Sequence, residues 1–173
     1  MMIKKKVSRA VKTETAVFAA GCFWGVQYVF DKFPGVVKTE VGYTGGSAKN
    51  PSYMLVCTGL TGHAEAVRIE FNPKEISYEK LLEIFWKCHD PTQRFGQGPD
   101  IGYQYRSAIF YLGEEQKIAA TRSLKAYEKE LGKKIATSIE PASEFYLAED
   151  HHQGYYKKKN GTPYCHIVPK VKV

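Results

Sequence analysis

Apolar positions recur along this chain in short blocks that switch between a period of two and a period near 3.6. Residues 14–20 (ETAVFAA) carry a continuous apolar run and predict a buried strand feeding a helix that begins at Gly21–Cys22. In that helix Phe23, Val26, Phe30 and Phe33 form one core-facing stripe, and Pro34–Gly35 stops it. Residues 36–46 (VVKTEVGYTGG) read as a strand running into a glycine turn, and a polar loop, 47–52, leads to Tyr53. Alternation is clear in residues 64–71 (AEAVRIEF). Val67, Ile69 and Phe71 point one way, while Ala66, Arg68 and Glu70 point the other.

Residues 77–88 predict a helix with Ser77 as N-cap and a stripe of Tyr78, Leu81, Leu82, Phe85 and Cys88, ended by His89–Asp90–Pro91. Residues 92–103 (TQRFGQGPDIGY) form the longest irregular, glycine-rich stretch, and loops of that length tend to be functional. Residues 105–112 (YRSAIFYL) read as a strand with apolar residues on both faces. A third helix runs from Glu114 to Leu131, with Ala120, Leu124, Tyr127 and Leu131 inward and Gly132 as its stop. A short strand at 136–140, a helical turn near Glu149–Tyr156 and a Lys/Gly/Pro tail complete the pattern, without internal repeats. Helices scattered among strands of mixed type predict an α+β fold. The expected form is a two-layer α/β sandwich on a mixed sheet, with a ferredoxin-like core and an irregular C-terminal tail. A single catalytic domain over 1–173 is expected, with a basic N-terminal extension (1–12) and a flexible tail (157–173).

Composition supports one domain. The 173 residues are 43% hydrophobic and 13% aromatic, enough for one packed core and too few for two. The net charge of +7 is concentrated in Lys4, Lys5 and Lys6, in Lys157, Lys158 and Lys159, and in Lys170 and Lys172. These runs read as solvated ends, because no recognition-helix, RNP or zinc-finger pattern accompanies them; nucleic acid is not an expected partner. No run of about 18 apolar residues predicts a membrane span. The basic start followed by "AVFAAGC" has the outline of a lipoprotein signal with Cys22 as the lipidated residue. Against it, Thr13, Glu14 and Thr15 interrupt the apolar stretch, which falls short of the usual ~7–15 residues. A cytoplasmic location is expected, where the four cysteines stay reduced and any disulfide is transient.

The stretch "AAGCFWGVQYVF" then poses a chemical question, because a lone thiol stands at the first turn of a helix beside Phe23 and Trp24. A free thiol is only about 3% ionised at pH 7, and a helix N-terminus lowers a cysteine's pKa. Gly21 and Gly25 are expected to leave the backbone open to a substrate, with Phe23 and Trp24 walling an apolar pocket beside the sulfur. The plainer alternative is a buried structural cysteine. Its position ahead of the apolar stripe, at a strand-to-helix junction where active sites collect, favours the reactive one. Cys88 lies on its helix's apolar stripe and reads as core, and Cys57 in "MLVCTG" reads as structural. Cys165, in the tail segment "NGTPYCHI", is a candidate resolving thiol that a short local motion brings to an oxidised partner. A zinc site from Cys57, His63, Cys88 and His89 is the rival, with spacings that fit no two-residue knuckle.

Glu65, in "TGHAEAV", shares the parity of Val67, Ile69 and Phe71 and so begins the buried face of its strand. A carboxyl half-inside an apolar layer resists ionising and can deliver a proton as a general acid. The alternative is a strand-end glutamate that curls out to water. Tyr53, Asp100 and Tyr105 occupy loop or loop-edge positions from which they can converge on the same place.

"GCFWG" (21–25), "GHAE" (62–65), "HDPTQ" (89–93), "GPDIGYQYRS" (98–107) and "AEDHHQ" (148–153) occur in that order. Together they closely resemble the A-type peptide methionine sulfoxide reductases, over roughly residues 14–166. The resemblance implies a two-layer sandwich that reduces the S epimer of methionine sulfoxide, free or in proteins, as a monomer without metal or organic cofactor. It implies Cys22 as nucleophile, Phe23 and Trp24 as the seat of the substrate's S-methyl group, and Glu65 as proton donor. Tyr53 and Tyr105 would hold the sulfoxide oxygen, Asp100 would support the site, and Cys165 would resolve a Cys22 sulfenic acid as a disulfide that thioredoxin reduces. Two departures stand out. Tyr103 replaces the Thr that many relatives carry in "GTQYRS", and no second tail cysteine follows His166. The competing readings are a thiol peroxidase, which has no methyl group to bury, and a basic protein-binding module with an incidental cysteine.

Overall fold

The computed structural model describes residues 11–173, so residues 1–10 of the basic extension lie outside the described residues. The chain runs β1 (Glu14–Ala20), α1 (Phe23–Phe30), β2 (Val36–Thr44), α2 (Tyr53–Cys57), β3 (Ala64–Phe71), α3 (Tyr78–Cys88), β4 (Gly96–Gln97) and β5 (Asp100–Ile101). It continues with β6 (Ser107–Tyr111), α4 (Glu114–Leu131), β7 (Ser138–Pro141), β8 (Tyr146–Leu147) and α5 (Tyr155–Lys159). Local chemistry sets the helix ends as the sequence implies. Ser77 Oγ accepts the Lys80 N–H at 3.2 Å at the start of α3, and Gly132 closes α4 in the left-handed conformation.

Six strands form one sheet in the order β7-β6-β1-β3-β2-β8, and β4 pairs with β5 in a separate two-stranded hairpin. The four central strands, β6, β1, β3 and β2, pair antiparallel with one another, and β7 joins β6 in parallel, so the sheet is mixed. With α1 and α3 between them, these strands have the order and connections of a ferredoxin-like core. The two-layer α+β sandwich is the architecture expected from the sequence.

Strand alternation decides what lies under the helices. Ala16, Phe18 and Ala20 of β1 join Val67, Ile69 and Phe71 of β3 and the stripes of α1 and α3 in the main core. Phe18 packs against Phe30, Tyr78 and Phe85 with ring centroids 5.1–6.0 Å apart. The opposite face is lined by small residues (Val17, Ala19, Ala64, Ala66 and Ala108) with Phe110, and Ala142 and Phe145 cover it.

Three local expectations change. The 92–103 stretch is not structureless, because it holds the β4–β5 hairpin followed by a single 3-10 turn at Tyr103–Tyr105. Tyr53, at the edge of the 47–52 loop, opens α2, a short helix that the pattern does not predict. Lys157–Lys159 belong to α5, so the irregular tail starts after Lys159.

Candidate active site

Antiparallel pairing gathers the chemically loaded residues at one sheet edge. Phe18 faces Val67 across β1–β3, and Ala20 faces Ser107 across β1–β6. The end of β1 therefore lies level with the starts of β3 and β6, which places Cys22 just beyond β1, Glu65 at the top of β3 and Tyr105 just before β6. Gly21, at φ +92°, turns the chain from strand into helix in a conformation that other residues rarely adopt. Cys22 is the N-cap of α1, and its carbonyl accepts the N–H groups of Gly25 (3.2 Å) and Val26 (3.4 Å). Its side chain is 8% exposed, nearly buried but not sealed.

Glu65 is 2% exposed and pairs across the strands with Tyr43, on the same face as the core. Its Oε2 accepts the backbone N–H of Phe23 at 3.0 Å, an unsatisfied donor of the first helical turn. Burial pushes its pKa up from 4.5 to about 8, against the pull of the Phe23 N–H and with a smaller push from Asp100. The carboxyl holds its proton at neutral pH, as the strand parity implies.

The thiol departs from expectation. Burial raises the Cys22 pKa well above its ordinary value, and the nearby Glu65 and Asp100 add to that rise. The backbone N–H groups of Trp24 and Gly25 oppose it and lose. A helix N-terminus favours a thiolate, but removing the sulfur from water outweighs that dipole here. Without substrate the site therefore stores protons on both groups.

An aromatic box stands beside the sulfur. Phe23 is 1% exposed, with its ring 5.7 Å from Tyr43 and 5.3 Å from His152. Trp24 is half-buried and stacks on Tyr155 at 3.7 Å and 6°. Its indole N–H donates to His152 Nδ1 at 3.0 Å, and Tyr53 lies 4.6 Å from the same imidazole. Glu149 fastens the box from the other side. It accepts from the Tyr43 hydroxyl (3.0 Å) and the Tyr53 N–H (3.1 Å), and lies 3.4 Å from His152 Nε2. Tyr53 and Tyr105 keep their protons firmly, because burial opposes a phenolate at both, with Cys57 adding to the rise at Tyr53 and Glu65 at Tyr105. Two neutral hydroxyl groups are thus available as donors.

Asp100, on the hairpin, faces the tail. Both of its oxygens accept from the Tyr164 hydroxyl, at 2.8 and 3.0 Å, and Oδ2 is 4.0 Å from Cys165 Sγ. The tail is docked in three places: Tyr164 on Asp100, His166 on the Ala20 carbonyl at 2.6 Å, and the Ile167 N–H on the Cys88 carbonyl at 3.2 Å. This overturns the expectation that Gly21 and Gly25 leave the backbone open. A Cβ on Gly21 would lie 2.6 Å from Gln97 Cβ, and one on Gly25 would overlap the His166 ring. The two glycines admit the hairpin and the tail, not a substrate. All four cysteines are free.

Cys88 is core, 1% exposed, with its thiol donating to the Phe85 carbonyl. Cys57 is not structural. It is exposed at the end of α2, because the helix turns its apolar side, Val56, inward and leaves the sulfur beside the Tyr53 hydroxyl. The exposed Tyr103 ring lies 4.1 Å from the Arg106 guanidinium. Among the described residues, Glu149, His151 and His152 are the group of potential metal ligands whose donor atoms lie within 4.8 Å of one another. Glu149 and His152 are already engaged with the aromatic box. Sequence reasoning gave no role to His152, Glu149, Tyr155, Tyr164 or His166; the only signal for the first two was their place in "AEDHHQ".

Comparison with known proteins gives a consistent result. The family model described as peptide methionine sulfoxide reductase matches residues 14–173. A peptide methionine sulfoxide reductase from Methanosarcina acetivorans is 57% identical over 148 residues, covering 84% of this chain and 79% of the relative. The reduced form of Mxr1 from Saccharomyces cerevisiae superimposes with a TM-score of 0.87 at 34% identity, over 94% of this chain and 95% of that one. Mxr1 in complex with Trx2 aligns with a TM-score of 0.63 at 25% identity, over 96% and 97% of the two chains. No helix among the described residues is long and apolar enough to cross a membrane.

Proposed function

The chain belongs to the peptide methionine sulfoxide reductase family, and on that premise we propose how its own residues divide the work. The enzyme carries out thiol-dependent reduction of methionine sulfoxide to methionine. We assign it the S epimer, free or within proteins, and a role in repairing oxidised proteins. The observation that carries the assignment is the Phe23 N–H to Glu65 contact, which ties a proton-bearing carboxyl to the helix that begins at Cys22.

The proposed step is balanced in protons and electrons. The Cys22 sulfur attacks the sulfoxide sulfur while Glu65 gives its proton to the departing oxygen. Methionine leaves with two more electrons, the oxygen passes to Cys22 as a sulfenic acid, and the thiol's proton replaces the one Glu65 gave. The high pKa of the free thiol fits this sequence, since attack and proton loss then occur together in the presence of sulfoxide. The hydroxyl groups of Tyr53 and Tyr105 hold the sulfoxide oxygen without adding charge, and Asp100 supports the site from the hairpin. Phe23 and Trp24 seat the methyl group, with His152 and Tyr155 holding the indole in place.

Cys165 then attacks the sulfenic acid, water leaves, and a dithiol reduces the Cys22–Cys165 disulfide. The Mxr1–Trx2 complex supports thioredoxin as that reductant. The cycle as proposed runs through sulfur alone, with no prosthetic group, in a monomer acting in the cytoplasm. A thiol peroxidase would pass through the same sulfenic acid, but the family match favours sulfoxide. The deciding assay incubates wild type and Cys22→Ser with each epimer of a methionine sulfoxide peptide and dithiothreitol. Reduction of the S epimer by wild type alone is expected. Turnover of peroxide with neither epimer reduced would replace this reading.

A further inference from the structure

We propose that His166 is the general base that takes the proton from the Cys165 thiol as this sulfur attacks the oxidised Cys22. The proposal rests on Cys165 being the resolving thiol. Its carrying observation is a tautomer fixed by geometry. His166 Nε2 lies 2.6 Å from the Ala20 carbonyl oxygen, which can only accept, so Nε2 bears the hydrogen. Nδ1 is left with a bare lone pair, and Cys165 Sγ lies 3.3 Å from it. The only donor in that pair is the S–H. An acceptor that can keep a proton is thus aimed at the thiol that must lose one.

The surroundings hold the ring in this state. His166 is 6% exposed, and its imidazole is pressed over Gly25, where any side chain would overlap it. Burial lowers its pKa below the usual 6.5, with the Ala20 carbonyl and Asp100 opposing, so the ring is neutral at pH 7. The titratable groups that face it are Cys165, Asp100 and, from the end of α3, His89. Asp100 also lies 4.0 Å from Cys165 Sγ, and together with burial it pushes that thiol up to about 11. Unaided, such a thiol is ionised about once in 10⁴ molecules at pH 7. Resolution at neutral pH therefore calls for a base in contact with the sulfur, and His166 is in contact.

The step balances without any outside oxidant beyond the sulfoxide already consumed. The Cys165 S–H bond breaks and its proton goes to Nδ1. The Cys165–Cys22 S–S bond forms as the sulfenic S–O bond breaks, and the departing hydroxide recovers the proton from the imidazolium and leaves as water.

The test follows disulfide formation after one turnover. Wild type and His166→Gln are mixed with one equivalent of S-sulfoxide peptide and quenched at intervals between about pH 7 and 9. Released methionine and the Cys22–Cys165 disulfide are both quantified by mass spectrometry, so that the rate read is that of sulfenic acid passing to disulfide, apart from the Glu65-dependent reduction before it. Gln keeps a donor for Ala20 but offers no base. The expected wild-type rate is flat across that range, because the base is already neutral. The variant is expected to be slower by about 10²-fold or more at pH 7 and to climb about tenfold per pH unit, following the thiol alone. A wild-type rate that itself climbs tenfold per unit overturns the proposal, even if the variant does not fold, and so does a variant with the wild-type profile. Should wild type release methionine yet never form the Cys22–Cys165 disulfide, the assignment of Cys165 fails first, and the role of His166 falls with it.

Discussion

The backbone N–H of Phe23 donates to Glu65 Oε2 across 3.0 Å, so the carboxyl is fastened to the first turn of the helix that Cys22 caps. Accepting at Oε2 leaves Oε1 to carry the proton. Because burial holds the pKa at about 8, reduction of sulfoxide should be nearly constant below that pH and fall above it as Glu65 ionises. Glu65→Gln keeps the acceptor for Phe23 but has no proton to give, and should slow single-turnover methionine release by about 10²-fold or more. An unchanged release rate would remove Glu65 from the chemistry.

The same carboxyl links stability to pH. Its folded pKa, about 8, exceeds the ordinary 4.5, so the folded state binds the proton more tightly. The stabilisation this provides is full below about 4.5 and is lost as pH rises toward 8. Urea unfolding of wild type and Glu65→Gln at pH 5 and pH 8 should show a smaller pH-dependent loss in the variant. Equal losses would mean that another group sets the slope.

Cys165→Ser should release one methionine per enzyme and then stall with thioredoxin as reductant. Full thioredoxin-linked turnover would point to another thiol, and Cys57, exposed beside Tyr53, would be the next to remove.

Gly25→Ala tests the docked tail. A methyl group there meets the His166 ring, and such overpacking costs about 1–3 kcal/mol, which the tail can escape by lifting off. Limited proteolysis should cut the variant after Lys159 faster than wild type, and its thioredoxin-linked turnover should drop. Protection equal to wild type would show that the ring shifts instead of the tail.

Trp24→Phe keeps a ring to stack on Tyr155 but loses the indole N–H that donates to His152. A rise in KM for sulfoxide peptide is expected, with a smaller change in kcat, from the proposed role of the indole in seating the methyl group without carrying the proton. A fall confined to kcat would place Trp24 in the chemical step.

Apolar runs and periodicity along the chain were enough to specify β1, β2, β3, β6 and β7, the helices α1, α3 and α4, and the inward aim of Glu65, but not β4, β5, β8 or α2. Parity within one strand is a local property that survives into the sheet, and "AEAVRIEF" displays it directly. The thiol at the start of α1 was legible for the same reason, because one apolar run and one stripe meet at Cys22. What the folded chain alone decided depends on residues far apart in sequence. The His166 imidazole covers Gly25, the Glu149–His152 pair braces the aromatic box, and Cys57 turns outward. The sign of the Cys22 pKa shift belongs with these. The helix dipole is written locally, but desolvation is set by everything packed around the sulfur, and at this site it is the larger effect.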